Sequence, residues 1–197
     1  MHHFIYSSKD SWISSGSNLI TGESWQERNF GQDEILEIKK VFHDTAFDYQ
    51  TRALIQFNLS EVSSSITNGQ IPEPKQDDNT SGSVWYLRLY EAEGTEELST
   101  EYTLAAHMLS QSWEEGKGTF ADSPIIKTGV SWTNRNYPQG GSATSWSKQG
   151  AETVTNGSHG GAYKTGSSYF ATQSFSYESP DIEMDVTNIV NHWLGSG

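Results

Sequence analysis

The chain contains no cysteine. That excludes a disulfide-stapled scaffold, thiolate zinc sites and a thiol nucleophile. It is also poor in positive charge, with 12 Lys and Arg against 25 Asp and Glu, and a net charge of −13 over 197 residues. Phosphate backbones repel such a surface, so nucleic acid is excluded as an expected partner class. Long apolar runs are missing: hydrophobic residues make up 34%, and mean hydropathy is −0.64. No stretch approaches the roughly 18 apolar residues that a membrane-spanning helix needs. The opening Met1-His2-His3-Phe4-Ile5-Tyr6 lacks the basic and apolar regions of a secretory signal. The expectation is therefore a chain made in the cytosol and not secreted.

What is present in quantity is aromatic side chain: 7 Trp, 9 Tyr and 8 Phe. Disordered chains are poor in these residues, so the chain folds. Its length fits one β-rich domain over residues 1–197. Such a domain buries roughly 70% of its unfolded surface and folds without disulfide or metal.

Period-2 alternation is clearest at 84–91, which places Trp85, Leu87 and Leu89 on one face and Tyr86, Arg88 and Tyr90 on the other. Residues 101–109 alternate too, with Tyr102, Leu104, Ala106 and Met108 sharing a face. Weaker strand signals lie at 4–7, 34–41, 52–59, 125–132, 169–177 and 181–186, and Ile55, Phe57 and Leu59 share one parity in 52–59. Residues 63–83 are Ser, Thr, Asn, Gly, Pro and Asp with little apolar content, which predicts a long polar loop or insertion. One helix is expected, at the C-terminal end, with Thr187 as N-cap, Asp185 capping it, Ile189/Trp193 and Val190/Leu194 as i,i+4 pairs, and Gly195 as stop. Many short strands, turn-rich connections and a single helix predict an all-β jelly-roll β-sandwich with a short C-terminal helix.

No catalytic constellation emerges. Glu114 and Glu115 are adjacent and would face opposite ways on a strand, whereas glycoside hydrolysis needs two carboxylates facing one bond. His107 with Tyr102 has no recognisable acid–base spacing. No His-rich or EF-hand spacing occurs, and no metal site or cofactor is expected. A structural Ca²⁺ on the loop acids Asp10, Asp122 and Asp181 is the one option left open, against the favoured reading of solvated surface acids. The candidate binding surface is the segment 132–170. It sets Trp132, Tyr137, Trp146, Tyr163 and Tyr169 among Gly, Ser, Asn and Thr, with Arg135 as one of its few cations. Aromatics on polar loops serve both sugar stacking and protein interfaces. The competing reading of Trp113, Trp132 and Trp193 is core packing.

An ordered series of short motifs runs through the chain. Lys9-Asp10-Ser11-Trp12-Ile13 precedes Asn29-Phe30-Gly31-Gln32, then Arg52-Ala53-Leu54-Ile55-Gln56-Phe57-Asn58-Leu59-Ser60. Leu87-Arg88-Leu89-Tyr90, Ser112-Trp113-Glu114-Glu115-Gly116, Gly129-Val130-Ser131-Trp132 and Met184-Asp185-Val186-Thr187 follow. The set resembles the DNRLRE-type, disaggregatase-related jelly-roll domains, which include carbohydrate-binding modules. Stand-alone domains of this kind are similar to those among marine tailed-phage structural proteins. The resemblance implies a non-enzymatic structural or interaction protein: a phage virion component (capsid decoration, neck or tail accessory) located in the virion, assembling with other virion proteins or with itself, without nucleic acid or membrane. The alternative it implies is a carbohydrate-binding module that attaches to host-surface or marine polysaccharide.

Overall fold

The computed structural model describes residues 2–18, 20–43, 46–76, 81–92, 101–152, 162–176 and 181–195. The order of elements is β1 (Ser7–Ser14), β2 (Lys40–His43), β3 (Ala46–Phe57), α1 (Leu59–Thr67), β4 (Tyr86–Leu89), β5 (Glu101–His107), β6 (Asn134–Asn136), β7 (Thr144–Ser145), β8 (Phe170–Ser176), β9 (Ile182–Asp185) and α2 (Thr187–Trp193). Among the described residues every strand-to-strand pairing is antiparallel. The expected all-β class with a short C-terminal helix is what the chain forms.

The chain divides into two compact units. Unit I is Tyr6–Phe57 with Leu109–Tyr163, and unit II is Met1–Ile5, Asn58–Met108 and Lys164–Gly197.

In unit I, β3 is the central strand of a sheet ordered β1-β3-β2. β1 pairs with β3 so that Trp12 faces Ala53 and Ile13 faces Arg52. The first half of β1 is hydrated, but Ser11, Trp12, Ile13 and Ser14 are all buried. Burial on both faces removes the alternation that would mark a strand, so the sequence signal was confined to residues 4–7. The core of the unit gathers Ile13, Leu54, Trp113, Val130, Trp132, Trp146, Ala151 and Ala162. Much of it comes from loops. Trp132 and Trp146 stand at the two roots of the β6–β7 hairpin, just before Asn134 and just after Ser145. No strand forms at 125–132.

Gly150 closes this core. It adopts φ +76°, donates its N–H to the Trp132 carbonyl at 2.7 Å, and a Cβ added there would lie 2.5 Å from Trp132 Cζ2. Both the left-handed backbone and the ring oppose any side chain. Gly150→Ala should therefore cost about 2–4 kcal/mol. A urea melt should show this as a lower midpoint with an unchanged slope. A midpoint equal to wild type would mean that neither constraint operates.

In unit II, β4 pairs with β9 and β5 with β8. Phe175, Ile182 and Met184 are buried, with Leu89, Tyr102, Leu104, Ala106, Ala171 and Val186 packed on them. Tyr102 stacks on Phe175 at 4.7 Å between centroids and 7° between planes. Gln173 ties β8 to β9, its Oε1 accepting from Glu183 N–H at 2.8 Å and its Nε2 donating to the Asp181 carbonyl at 3.2 Å.

The structure departs from the sequence reading at 59–67, where a helix replaces the strand end and the first part of the expected loop. Asn58 caps it, its Oδ1 accepting from Ser60 N–H at 3.1 Å, and Glu61 sits in the first turn. Val62 and Ser65, three apart, form the buried face. Residues 77–80 of the expected loop lie outside the described residues. α2 follows expectation with one change of role. Asp185 Oδ1 accepts from Thr187 N–H at 2.9 Å. Thr187 is inside the helix, and its Oγ1 instead accepts from Trp85 N–H at 2.9 Å.

Candidate functional site

The aromatics expected to form a binding surface at 132–170 divide in two. Trp132 and Trp146 are 8% and 4% exposed and belong to the unit I core. Trp146 Nε1 donates to the Ser131 carbonyl at 2.9 Å. The Trp132 ring is covered by Gly150 and by the Arg52 guanidinium, 5.3 Å from its centroid. Neither ring has a face to offer, so both are corrected here from candidate ligand contacts to core residues. Large rings on a Gly/Ser-rich segment read as surface only when the loops themselves are not the core, and here they are.

The three remaining aromatics and Arg135 are half-buried. Arg135 Nη1 donates to Ser112 O and Oγ, both at 2.9 Å. Tyr137 exchanges backbone hydrogen bonds with Gly129 at 2.9 and 3.0 Å. Tyr163 shares a network with Arg52 and Glu152, whose own ion pair measures 2.5 Å. Burial, then the hydrogen bond and charge of Glu152, hold the Tyr163 phenol above its ordinary pKa. Tyr169 lies in unit II, edge-on to His192 at 4.7 Å and with Lys164 Nζ 4.9 Å from its ring centroid. The side chains of Arg135, Tyr163 and Tyr169 are thus engaged with neighbours of their own fold. Residues 153–161 of the segment lie outside the described residues.

The three acids considered for Ca²⁺ are engaged too, and Asp10 lies within β1 rather than in a loop. Asp10 Oδ2 accepts from Ser7 Oγ at 2.9 Å, Asp122 Oδ2 from Thr119 N–H at 2.6 Å, and Asp181 Oδ1 from Glu91 N–H at 3.0 Å. Among the described residues no three His, Asp or Glu are placed to hold a metal ion.

An aromatic surface is present elsewhere, on the outward face of the β4–β9 pair. The register sets Tyr86 opposite Asp185, Leu87 opposite Met184, Arg88 opposite Glu183 and Leu89 opposite Ile182. Leu87 and Leu89 point toward the unit II core, so Tyr86, Arg88 and Tyr90 point out together with Glu183 and Asp185. Tyr86 is 52% exposed and Tyr90 73%. Along a strand, positions four apart are separated by about 13 Å, farther than one sugar ring spans. Arg88 Nη2 meets Glu183 Oε2 at 2.7 Å. The hydrogen bond and charge of Glu183, aided by the Tyr90 hydroxyl, raise the Arg88 pKa above its usual value. Along the chain this ion pair falls between the two tyrosines.

This face sets two exposed rings, able to stack on flat apolar surfaces, beside a guanidinium and carboxylates, able to bond hydroxyl groups. The alternation at 84–91 already put these three residues on one side. By pattern alone such an outward strand face reads as solvated surface.

Comparison with known families places the model of carbohydrate-binding module family 96 on residues 3–146, a span that contains Tyr86, Arg88 and Tyr90. No curated protein and no solved structure matches the chain. With the greater part of its length matched, the chain belongs to carbohydrate-binding module family 96.

Proposed function

We propose that this protein is a non-catalytic polysaccharide-binding module whose ligand lies along the Tyr86–Arg88–Tyr90 face. The observation that carries this is a pair of exposed tyrosines, Tyr86 in β4 and Tyr90 just past its end, within the family-matched span. A strand paired over a packed layer fixes the backbone beneath the first ring, which lowers the ordering cost of binding. Of the two expectations raised by the sequence, the glycan-binding module is favoured over the virion component, because the family match speaks for sugar and no observation speaks for a particle. Binding would tether whatever carries the module to a polysaccharide surface.

The test is native affinity electrophoresis through gels containing laminarin, hydroxyethyl cellulose, xylan, sodium alginate or carrageenan. Retardation in at least one gel relative to a non-binding reference protein is expected. Equal mobility in all five would overturn the proposal.

A further inference from the structure

The line of outward side chains on β4 does not stop at Tyr86. Val84 has the same parity, is 44% exposed, and lines a cavity of about 250 Å³ in unit II. Asp185, directly across from Tyr86, lines it as well. The cavity therefore begins where the row of rings ends. The other walls are Lys75, Gln76, Phe170 and the Val186–Ile189 start of α2. We infer that this cavity receives the terminal sugar of the glycan chain lying along Tyr90, Arg88 and Tyr86, so that the module recognises chain ends. The inference rests on the proposed polysaccharide-binding function.

Three features support a sugar ring as the occupant. Size comes first: pockets for drug-sized ligands start near about 300 Å³, so this one suits a single ring rather than an oligosaccharide. A stacking floor is present. Phe170 is 38% exposed and braced by His107, with ring centroids 5.5 Å apart and 24° between planes. The polar lining is held in place. Gln76 Nε2 donates to Asn191 Oδ1 at 2.9 Å, and Asn191, 5% exposed, donates its Nδ2 to the Lys75 carbonyl at 2.8 Å. Asp185 uses Oδ1 on Thr187 N–H, and its other oxygen remains as an acceptor for a hydroxyl. Asn188, exposed at the rim, adds an amide. Lys75, Gln76 and Val84 lie within the family-matched span of residues 3–146, and Phe170 and the Asp185–Ile189 walls lie beyond it.

The test compares intact laminarin, hydroxyethyl cellulose, xylan, alginate and carrageenan with partial hydrolysates of each, as competitors of equal mass, for wild type and for Phe170→Ala and Asn188→Ala. End recognition predicts that the hydrolysate of the retained polysaccharide competes better per gram, because it has more ends. It predicts about 3- to 10-fold weaker retention for Phe170→Ala, the value of one stacked ring, and loss of the preference for hydrolysate. Asn188→Ala, at an exposed position, checks the same point without touching the packing. Intact and hydrolysed polymer competing equally, or both variants retaining the wild-type preference, would overturn the inference. If Tyr86→Ala and Tyr90→Ala lower retention while the two cavity variants do not, this inference alone falls. Should wild type bind none of the polysaccharides, the proposed function falls with it.

Discussion

Replacing Tyr86 and Tyr90 together by alanine should abolish retention on polysaccharide and leave the fold intact. At 52% and 73% exposure the two rings contribute little to packing, and substitutions at such positions change stability by about 0.5 kcal/mol or less. For a domain of this length that moves the melting midpoint by only about 2 °C. Their contribution to binding is of a different order. Rigid aromatic anchors at the centre of an interface commonly cost about 2 kcal/mol each on truncation. Losing both should weaken binding by roughly 100-fold or more. Each single variant should sit between, and the two losses need not add, because one chain spans both rings. Circular dichroism melts and gel mobility measured on the same preparations check the two halves. Normal retention with a normal melt would remove the β4–β9 face from the site. Lost retention with a melt lowered by about 10 °C would show unfolding rather than loss of a contact.

The geometry of that face was legible in the sequence. Alternation at 84–91 and 101–108 placed Leu87, Leu89, Tyr102 and Leu104 inward correctly, because each strand there has one buried face. α2 was legible from Ile189 and Val190, both buried in the structure. β1 was not, since its buried half carries Ser11 and Ser14 as well as Trp12 and Ile13. Those serines are tolerated inside because their hydroxyls have backbone partners: Ser11 Oγ donates to the Trp12 carbonyl at 3.3 Å and Ser14 Oγ accepts from Gly16 N–H at 3.1 Å. α1 was hidden by its serines, which favour loops in isolation; the burial of Val62 overrides that preference. At 34–41 the reverse occurred. Ile35 and Ile38 look like strand residues but are 52% and 46% exposed, and pairing with β3 starts only at Lys40. Trp132 and Trp146 turn out to be core residues for one physical reason. Composition identifies which residues can stack on a ligand, but only packing decides whether Trp146 or Tyr90 keeps a free ring.

The same distinction governs the Asn29-Phe30-Gly31-Gln32 motif, where a polar side chain that looks available is the most completely used in unit I. Asn29 is 0% exposed. Its Nδ2 donates to the carbonyls of Glu115 at 2.6 Å and Val130 at 2.8 Å. Its Oδ1 accepts from Gly31 N–H at 3.2 Å and Gly118 N–H at 2.7 Å. One amide thus fastens three loop segments that have no ladder of their own, and Gly116 must lack a Cβ because one would lie 2.3 Å from Asn29 Oδ1. Asn29→Asp keeps the shape but turns two donors into an acceptor facing two carbonyls. At pH 7 the cost should be about 3–5 kcal/mol, from orphaned buried groups and a buried charge. That is a large part of the roughly 5–15 kcal/mol that a domain holds in total. The new carboxyl is buried against carbonyl oxygens, so its folded pKa is raised above the unfolded value of about 3.9. Between those two values the folded state binds more protons than the unfolded state, and stability falls as pH rises. The deficit relative to wild type should therefore be smaller at pH 4 than at pH 7, although one carbonyl stays unpaired even when the acid is protonated. Urea melts of both proteins at the two pH values measure it. A deficit under about 1 kcal/mol at pH 7 would mean that the loops of unit I are held by their tryptophans alone.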